Sequence, residues 1–373
     1  MITLQSIITE HDVHRSNYLT KIGKCKTGKL GYGISECEKC GKREVHALSC
    51  RDRHCPMCQN RSREKWIEGQ RENIINVRYY HVVATVPNKI HEIIMQNKKE
   101  MYELIMKASA ESIMEICKDR KYVGGQIGIL QILHTWNQQL HYHPHVHMLI
   151  PGIGLTDQGE IEEVKKEKYL VPIKAYSKKY RGKFISMLKE TKKKLKFKGK
   201  TKKYEQEEEW EKLIETLYKE NFNTYIKKPY KNPESVIEYF GRYAYKVAIS
   251  NSRIKEYKEG QVTYEYKDRK DGNKTKEEII SAEEFIKRFS LHFLPKGFRK
   301  IRSYGILSNR NKTQKLERIR KIYKTLKIKN ETKVFIEKKS ERMYRCAKCG
   351  GELRYIKRIE TLVEIFKEIK GHT

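Results

Sequence analysis

The chain has 373 residues, and its 80 Lys and Arg outnumber 47 Asp and Glu to leave a formal net charge of +33. So large an excess exceeds what solubility needs and points to a polyanion, nucleic acid before an anionic membrane surface. No apolar run is long enough to span a bilayer and the opening MITLQSIITEHDVH has no signal pattern, which argues against membrane and exported proteins and for the cytoplasm of a prokaryotic cell.

Such a length allows two or three domains. The nine cysteines fall mostly in CxxC pairs, which in a reducing compartment read as metal ligands rather than disulfides. Six of them lie in residues 1–65, a module too small to bury a core without help. Cys37-Glu38-Lys39-Cys40 and Cys55-Pro56-Met57-Cys58 stand 14 residues apart. This spacing predicts one tetrahedral structural zinc held by Cys37, Cys40, Cys55 and Cys58. Cys25, His46, Cys50 and His54 are surplus to that site and are candidates for a second ion.

A basic helix is expected over 61–71. Tyr79 to Val86 reads as a strand that stops at Pro87-Asn88, and a helical run follows from Lys89 to Lys118. Gln126 to His134 and His143 to Ile150 read as an antiparallel hairpin. Strand, helix and hairpin together suggest an α+β sheet with helices on one face. Residues 160–230 change character: Lys192 to Lys203 is almost pure positive charge, and an acidic helix follows from Tyr204 to Glu220. We read this stretch as an insertion. Glu234 to Ile249 is helical with Pro233 just before it, Ser250 to Tyr266 is a hairpin turning at Glu259-Gly260, and Ala282 to Phe293 is an amphipathic helix. The last 60 or so residues are basic and helical and carry a lone knuckle, Cys346 and Cys349. Cys117 reads as a core thiol.

The densest signal is His143-Pro144-His145-Val146-His147. Strand side chains alternate faces, so His145 and His147 point the same way. On its own such a pair is ordinary hydrogen-bonded core, but it is also half of a metal site. Gln138, across the hairpin, is the first choice for a third ligand, with His134 and His143 as alternatives. Downstream, Glu238-Tyr239-Phe240-Gly241-Arg242-Tyr243-Ala244-Tyr245-Lys246 places Tyr239 and Tyr243 on one helix face, with Lys246 nearby. Tyrosine is a weak nucleophile at neutral pH. A divalent ion, Mg²⁺ or Mn²⁺, on a scissile phosphate and a neighbouring lysine answer that weakness. The product would be a 5′-phosphotyrosine and a free 3′-OH, and the retained bond energy would allow rejoining without ATP.

Taken together, CEKC with SCRDRHCPMCQ, HVVATVPN, TWNQQLHYHPHVHMLIPGIGL, EYFGRYAYKVAISNSRI and EEFIKRFSLHFLPKGFRKIRSYGILSNRNK, in this order, resemble the HUH-type rolling-circle transposases of the IS91 family, from about Cys25 to Asn311. The resemblance implies an HUH nuclease domain, an antiparallel sheet flanked by helices, behind an N-terminal zinc-binding module. It implies metal ligation by His145 and His147, nucleophilic roles for Tyr243 and Tyr239, and a zinc domain that helps recognise the element's ends. On this reading 1–65 is the zinc-binding domain, 66–158 and 233–312 are the two parts of the nuclease domain, 159–232 is a lysine-rich helical insertion, and 313–373 is a basic C-terminal tail. The expected partners are single-stranded DNA, hairpin or end sequences of the chain's own mobile element, and target DNA, with no membrane. Arg242, Lys227, Lys228, Lys296, Arg299, Arg302 and Arg310 are candidate DNA contacts by charge. An HUH replication initiator or relaxase would share the chemistry. A non-catalytic zinc-ribbon nucleic-acid-binding protein would explain the charge and cysteines but leave the histidines and tyrosines unexplained.

Overall fold

A computed structural model describes residues 2–11, 16–71, 73–227, 229–230, 233–310, 312–327 and 345–360. The chain divides into two compact units, one of Met1–Arg61, Ile249–Lys287 and Asn330–Thr373, the other of Ser62–Ala248 and Arg288–Lys329. The first begins with α1 (Leu4–Glu10) and α2 (Asn17–Gly23), opened by side-chain caps from Thr3 and Ser16. β1 (Tyr32–Cys37) and β2 (Arg43–Ala47) form a hairpin, and α3 (Pro56–Arg71) starts on a proline, whose missing N–H costs nothing there.

The second unit continues with β3 (Tyr79–Thr85), α4 (His91–Gln96), α5 (Lys98–Cys117), β4 (Gln126–Trp136), β5 (Tyr142–Pro151), β6 (Ile153–Leu155), β7 (Ile161–Glu163), α6 (Ile173–Thr191), α7 (Glu207–Lys219), β8 (Thr224–Ile226) and α8 (Pro233–Ala244). The chain then supplies β9 (Ile254–Lys258), β10 (Gln261–Asp268) and β11 (Lys274–Ser281) to the first unit. α9 (Ala282–Leu291) leads to β12 (Ile301–Gly305) and α10 (Lys312–Lys327), and β13 (Leu353–Ile359) belongs again to the first unit. No helix among the described residues is long and apolar enough to cross a membrane.

The second unit is built on an antiparallel sheet of order β7-β6-β4-β5-β3-β8, with β12 also paired to β4. β4 and β5 are buried along nearly their whole length, as expected for strands covered on both faces. Alternation sorts their residues. Ile127, Ile129, Leu133, Val146, Met148 and Ile150 join Tyr80, Val82 and Ala84 in a core completed by α4 to α7. Leu130, Ile132 and Leu149 face the other way, into a smaller core with Val236, Phe240 and Ala244 of α8 and Leu316 and Ile319 of α10. Helices therefore cover both faces, not one.

Three further differences from the expected layout have local causes. The run 89–118 is broken at Asn97, whose side chain bonds the Ile93 carbonyl and both the carbonyl and amide of Lys196. The lysine-rich segment packs into the sheet unit through an apolar stripe that its composition masks: Tyr176, Tyr180, Phe184, Trp210 and Leu213 are part of the main core, while Lys178, Lys179, Lys193, Lys194 and Lys196 are exposed. Residues 249–287 group with the first unit, where the expected hairpin, turning through left-handed Glu259 and Gly260, gains a third strand. That strand, KTKEEIIS, hides behind its charges. The tail also holds a strand, β13, paired with β1.

Candidate active site

Strand register brings four histidines of the second unit to the sheet face that α8 covers. His134 of β4 is directly opposite His145 of β5. His147 follows two residues on, and His81 of β3, opposite Leu149, reaches it on the diagonal. The potential ligand atoms of His134, His145 and His147 all lie within 4.8 Å of one another. Burial holds His134 and His147 well below the usual imidazole range, so both rings are neutral, the form that ligates metals.

The chemistry of this donor set suits a divalent ion. Each ring spends one nitrogen on an outside partner. His134 donates from Nε2 to the Tyr243 carbonyl at 2.7 Å, His145 from Nδ1 to the His143 carbonyl at 2.7 Å, and His147 Nδ1 lies 2.9 Å from His81 Nε2. A carbonyl partner makes the bonded nitrogen of His134 and of His145 the protonated one, which leaves the other ring nitrogen of each as the lone-pair donor. The third imidazole of this cluster is His134, one of the alternatives to Gln138 weighed from sequence for the third ligand. Gln138, the first choice, sits half-buried in the turn between β4 and β5.

α8 presents the tyrosines. Its apolar face, Val236, Phe240 and Ala244, is buried, which turns Tyr239 and Tyr243 toward the histidines. Their hydroxyls are 2.7 Å apart. The Tyr243 ring centre is 4.5 Å from that of His147, and the Tyr239 ring meets His81 edge-on at 5.8 Å. The bond from His134 to the Tyr243 carbonyl ties the helix end to the sheet. Burial, then the hydrogen bonds from Tyr243 and Tyr230, push the Tyr239 phenol above its ordinary range.

Lys227, just past β8, places a cation on Tyr239 of this pair. Its amide bonds the His81 carbonyl at 2.9 Å and its ammonium donates to the Tyr239 hydroxyl at 2.6 Å. Sequence reasoning put Lys227 among DNA contacts and gave the phenol-supporting role to Lys246. The Lys246 side chain is exposed, though its charge is felt at His134 and His147. Lys227 and His81 were missed in these roles because strand pairing, not spacing, brings them in.

Among the other predicted contacts, Arg242 is exposed with its guanidinium 5.7 Å from the Tyr239 ring centre. Lys296, Arg299 and Arg310 are exposed. Arg302 is half-buried and forked onto Glu103 at 2.9 and 3.2 Å. Lys228 lies outside the described residues.

In the first unit the thiols pair otherwise than the spacing predicts. Cys25, Cys50, Cys55 and Cys58 form one tetrad, and Cys37 and Cys40 form another with Cys346 and Cys349. The expected set of Cys37 and Cys40 with Cys55 and Cys58 is therefore not assembled. Cys55 immediately precedes α3 and Cys58 lies in its first turn, whereas Cys37 ends β1 and Cys40 lies in the turn of a separate hairpin. Neither surplus histidine joins a tetrad: His54 bonds Asp52 at 2.9 Å, and His46 is exposed on β2.

Comparison with known proteins matches residues 4–86 to a transposase zinc-binding domain and residues 128–315 to a family described as "Putative transposase". The chain is 38% identical over 304 residues to "Putative transposase y4qJ" of Sinorhizobium fredii, covering 81% of this chain and 76% of that one. It is 25% identical over 361 residues to the "Transposase for insertion sequence element IS801" of Pseudomonas savastanoi pv. phaseolicola, covering 92% of this chain and 84% of the relative. No solved structure matches. One matched model carries the histidine strand and the tyrosine helix and the other the cysteine module before them, and the chain belongs to the IS91 family of transposases.

Proposed function

We propose that this transposase nicks single-stranded DNA at the ends of its own mobile element, holds the cut 5′ end as a phosphotyrosine and transfers it in rolling-circle fashion. The observation that carries this reading is the tyrosine pair, hydroxyls 2.7 Å apart, set over three clustered imidazoles.

His134, His145 and His147 would hold the divalent ion, Mg²⁺ or Mn²⁺. When bound, it supplies charge neutralisation at the scissile phosphate. The chain's own groups do the rest. The Tyr243 hydroxyl oxygen bonds to phosphorus as the phosphorus–O3′ bond breaks. The phenol loses a proton and the departing 3′-oxygen gains one, leaving 5′-phosphotyrosine and a free 3′-OH. Attack by a 3′-OH on that linkage reverses the exchange and joins strands without an external energy source. Tyr239 provides a second attachment point, with the Lys227 ammonium offsetting charge on its phenol. Lys296, Arg299, Arg310 and Arg242 supply backbone contacts along the strand.

The test uses single-stranded oligonucleotides from both ends of the element, with Mg²⁺ or Mn²⁺, on denaturing gels. A divalent-ion-dependent covalent adduct, absent from His145→Ala/His147→Ala, is the expected result. Sequence-selective binding with no adduct from either end would overturn the catalytic reading and leave a DNA-binding protein.

A further inference from the structure

The matched zinc-binding domain contains all four ligands of one thiol tetrad but only half of the other. Cys37 and Cys40 lie within residues 4–86, whereas Cys346 and Cys349 lie beyond both matched segments. The Sγ atoms of Cys37 and Cys349 are 3.4 Å apart across 312 positions of sequence, and those of Cys40 and Cys346 are 3.7 Å apart across 306.

The two knuckles are built alike. Cys37-Glu38-Lys39-Cys40-Gly41 and Cys346-Ala347-Lys348-Cys349-Gly350 share the pattern C-x-K-C-G. In each, the glycine takes a left-handed φ, 66° at Gly41 and 69° at Gly350, which a side chain disfavours. Its amide donates to the carbonyl of the first cysteine at 2.9 Å in both. The first cysteine's own amide closes each turn, on Lys42 at 2.9 Å and on Gly351 at 2.8 Å. Cys55-Pro56-Met57-Cys58 has no such glycine and runs into a helix instead.

The surrounding chain brings the two knuckles together. β13 pairs antiparallel with β1, setting Leu353 opposite Cys37, and β2 completes a three-stranded sheet. The Glu38 amide donates to the Glu352 carbonyl at 2.9 Å. A Cβ on Gly351 would lie 2.7 Å from Lys39 Cβ and 2.8 Å from Cys37 Sγ, so glycine is what lets the knuckles approach. The apolar core under this sheet is Ile34 and Ile359, flanked by Tyr32 and Val45. So small a core needs a staple, and four thiols in a reducing compartment supply one as zinc ligands.

We infer that Cys37, Cys40, Cys346 and Cys349 bind a second structural zinc ion in a discontinuous zinc ribbon, whose two halves are encoded about 300 residues apart. The first ion belongs to Cys25, Cys50, Cys55 and Cys58. The ribbon closes only once β13 has been synthesised and has found β1, so a module that precedes the sheet strands in the sequence is completed by residues that follow them.

The test is zinc content and thiol protection in the full-length protein purified under reducing conditions. Metal analysis of the wild type is expected to give about two zinc ions per chain. Cys346→Ser/Cys349→Ser should give about one, with Cys37 and Cys40 newly reactive to alkylation in peptide mapping while Cys25, Cys50, Cys55 and Cys58 remain protected. Gly351→Val, which leaves every thiol in place, should give the same pattern. One zinc in the wild type would overturn the inference, as would Cys37 and Cys40 staying protected in the double variant. Should the double variant lose both ions, alkylation of zinc-loaded wild type decides: protected Cys346 and Cys349 support the ribbon, and reactive ones reject it.

Discussion

His81 Nε2 stands 2.9 Å from Nδ1 of His147. Burial, with the charges of Lys227 and His145 adding to it, pushes His81 down to about 3, so this partner is neutral. For His147 to present Nε2 to an ion, its Nδ1 must carry the hydrogen and donate it to His81 Nε2. The His81 hydrogen then sits on Nδ1, a buried atom with no hydrogen-bond partner among the described residues. An orphaned buried N–H costs about 1–3 kcal/mol. On the proposed metal-binding reading His81 is a positioning residue, held at some expense. His81→Ala should weaken Mn²⁺ binding, read by calorimetry, by about 10–100-fold and lower nicking in parallel at subsaturating metal. His81→Gln keeps an acceptor carbonyl and should recover most of the loss. Unchanged metal affinity in His81→Ala would show the contact to be packing only.

The two tyrosines are not equivalent. Tyr243 lies against His147, at 4.5 Å between ring centres, whereas Tyr239 carries the Lys227 contact at 2.6 Å. Tyr243→Phe should abolish the adduct on the first strand cut. Tyr239→Phe should leave that adduct but stop the second attachment, trapping a nicked and singly linked product. Lys227→Met should mimic Tyr239→Phe in part, losing about 1.5–3 kcal/mol, the worth of a hydrogen bond to a charged group, at the Tyr239 step alone. Equal adduct yields from both tyrosine variants on the first strand would refute this division of labour.

What the sequence made legible here was local periodicity. Period two put His145 and His147 on one face, and i to i+4 spacing put Tyr239 beside Tyr243, so the halves of the site could be drawn separately. Their assembly depends on register. His134 meets His145 only because the β4–β5 pairing reaches them before it shifts near Trp136, and His81 and Lys227 arrive on β3 and just beyond β8. The thiols fail for a related reason: proximity in sequence suggested Cys55 and Cys58 as partners of Cys37, when the glycine after each matching knuckle was the better guide. The lysines and arginine on the outer face of α6 dominate its composition and concealed it, while Tyr176, Tyr180 and Phe184 recur at the spacing of a buried helical stripe.

Arg302 separates charge that is available from charge that is spent. Its guanidinium forks onto Glu103 and covers the Phe298 ring at 5.2 Å, whereas Lys296 and Arg299 nearby are exposed. Each phosphate contact on a single strand adds about 0.7 to the slope of log affinity against log salt. Lys296→Ala and Arg299→Ala should each flatten that slope by about this amount. Arg302→Ala should leave it unchanged and cost up to about 1 kcal/mol of stability in denaturant melts, the usual ceiling for a partly exposed ion pair. A flattened slope in Arg302→Ala would mean that DNA displaces Glu103.

The donor set also orders the metals. Mg²⁺ demands oxygen ligands in near-ideal octahedral geometry and sheds water reluctantly. The cluster of grouped ligand atoms offers imidazoles without a carboxylate among them, and nitrogen donors favour a transition ion such as Mn²⁺. Nicking should therefore reach half its maximal rate at a Mn²⁺ concentration about tenfold or more below that of Mg²⁺, a difference of about 1.4 kcal/mol in affinity. His134→Ala should raise the Mn²⁺ requirement and also loosen the end of α8, since the same ring holds the Tyr243 carbonyl. His134→Gln separates the two effects by restoring a donor to that carbonyl without the imidazole. If Mg²⁺ proved equal or better, an oxygen ligand would have to complete the site. Gln138→Ala would then be the variant to measure, its turn sitting at the end of the same two strands.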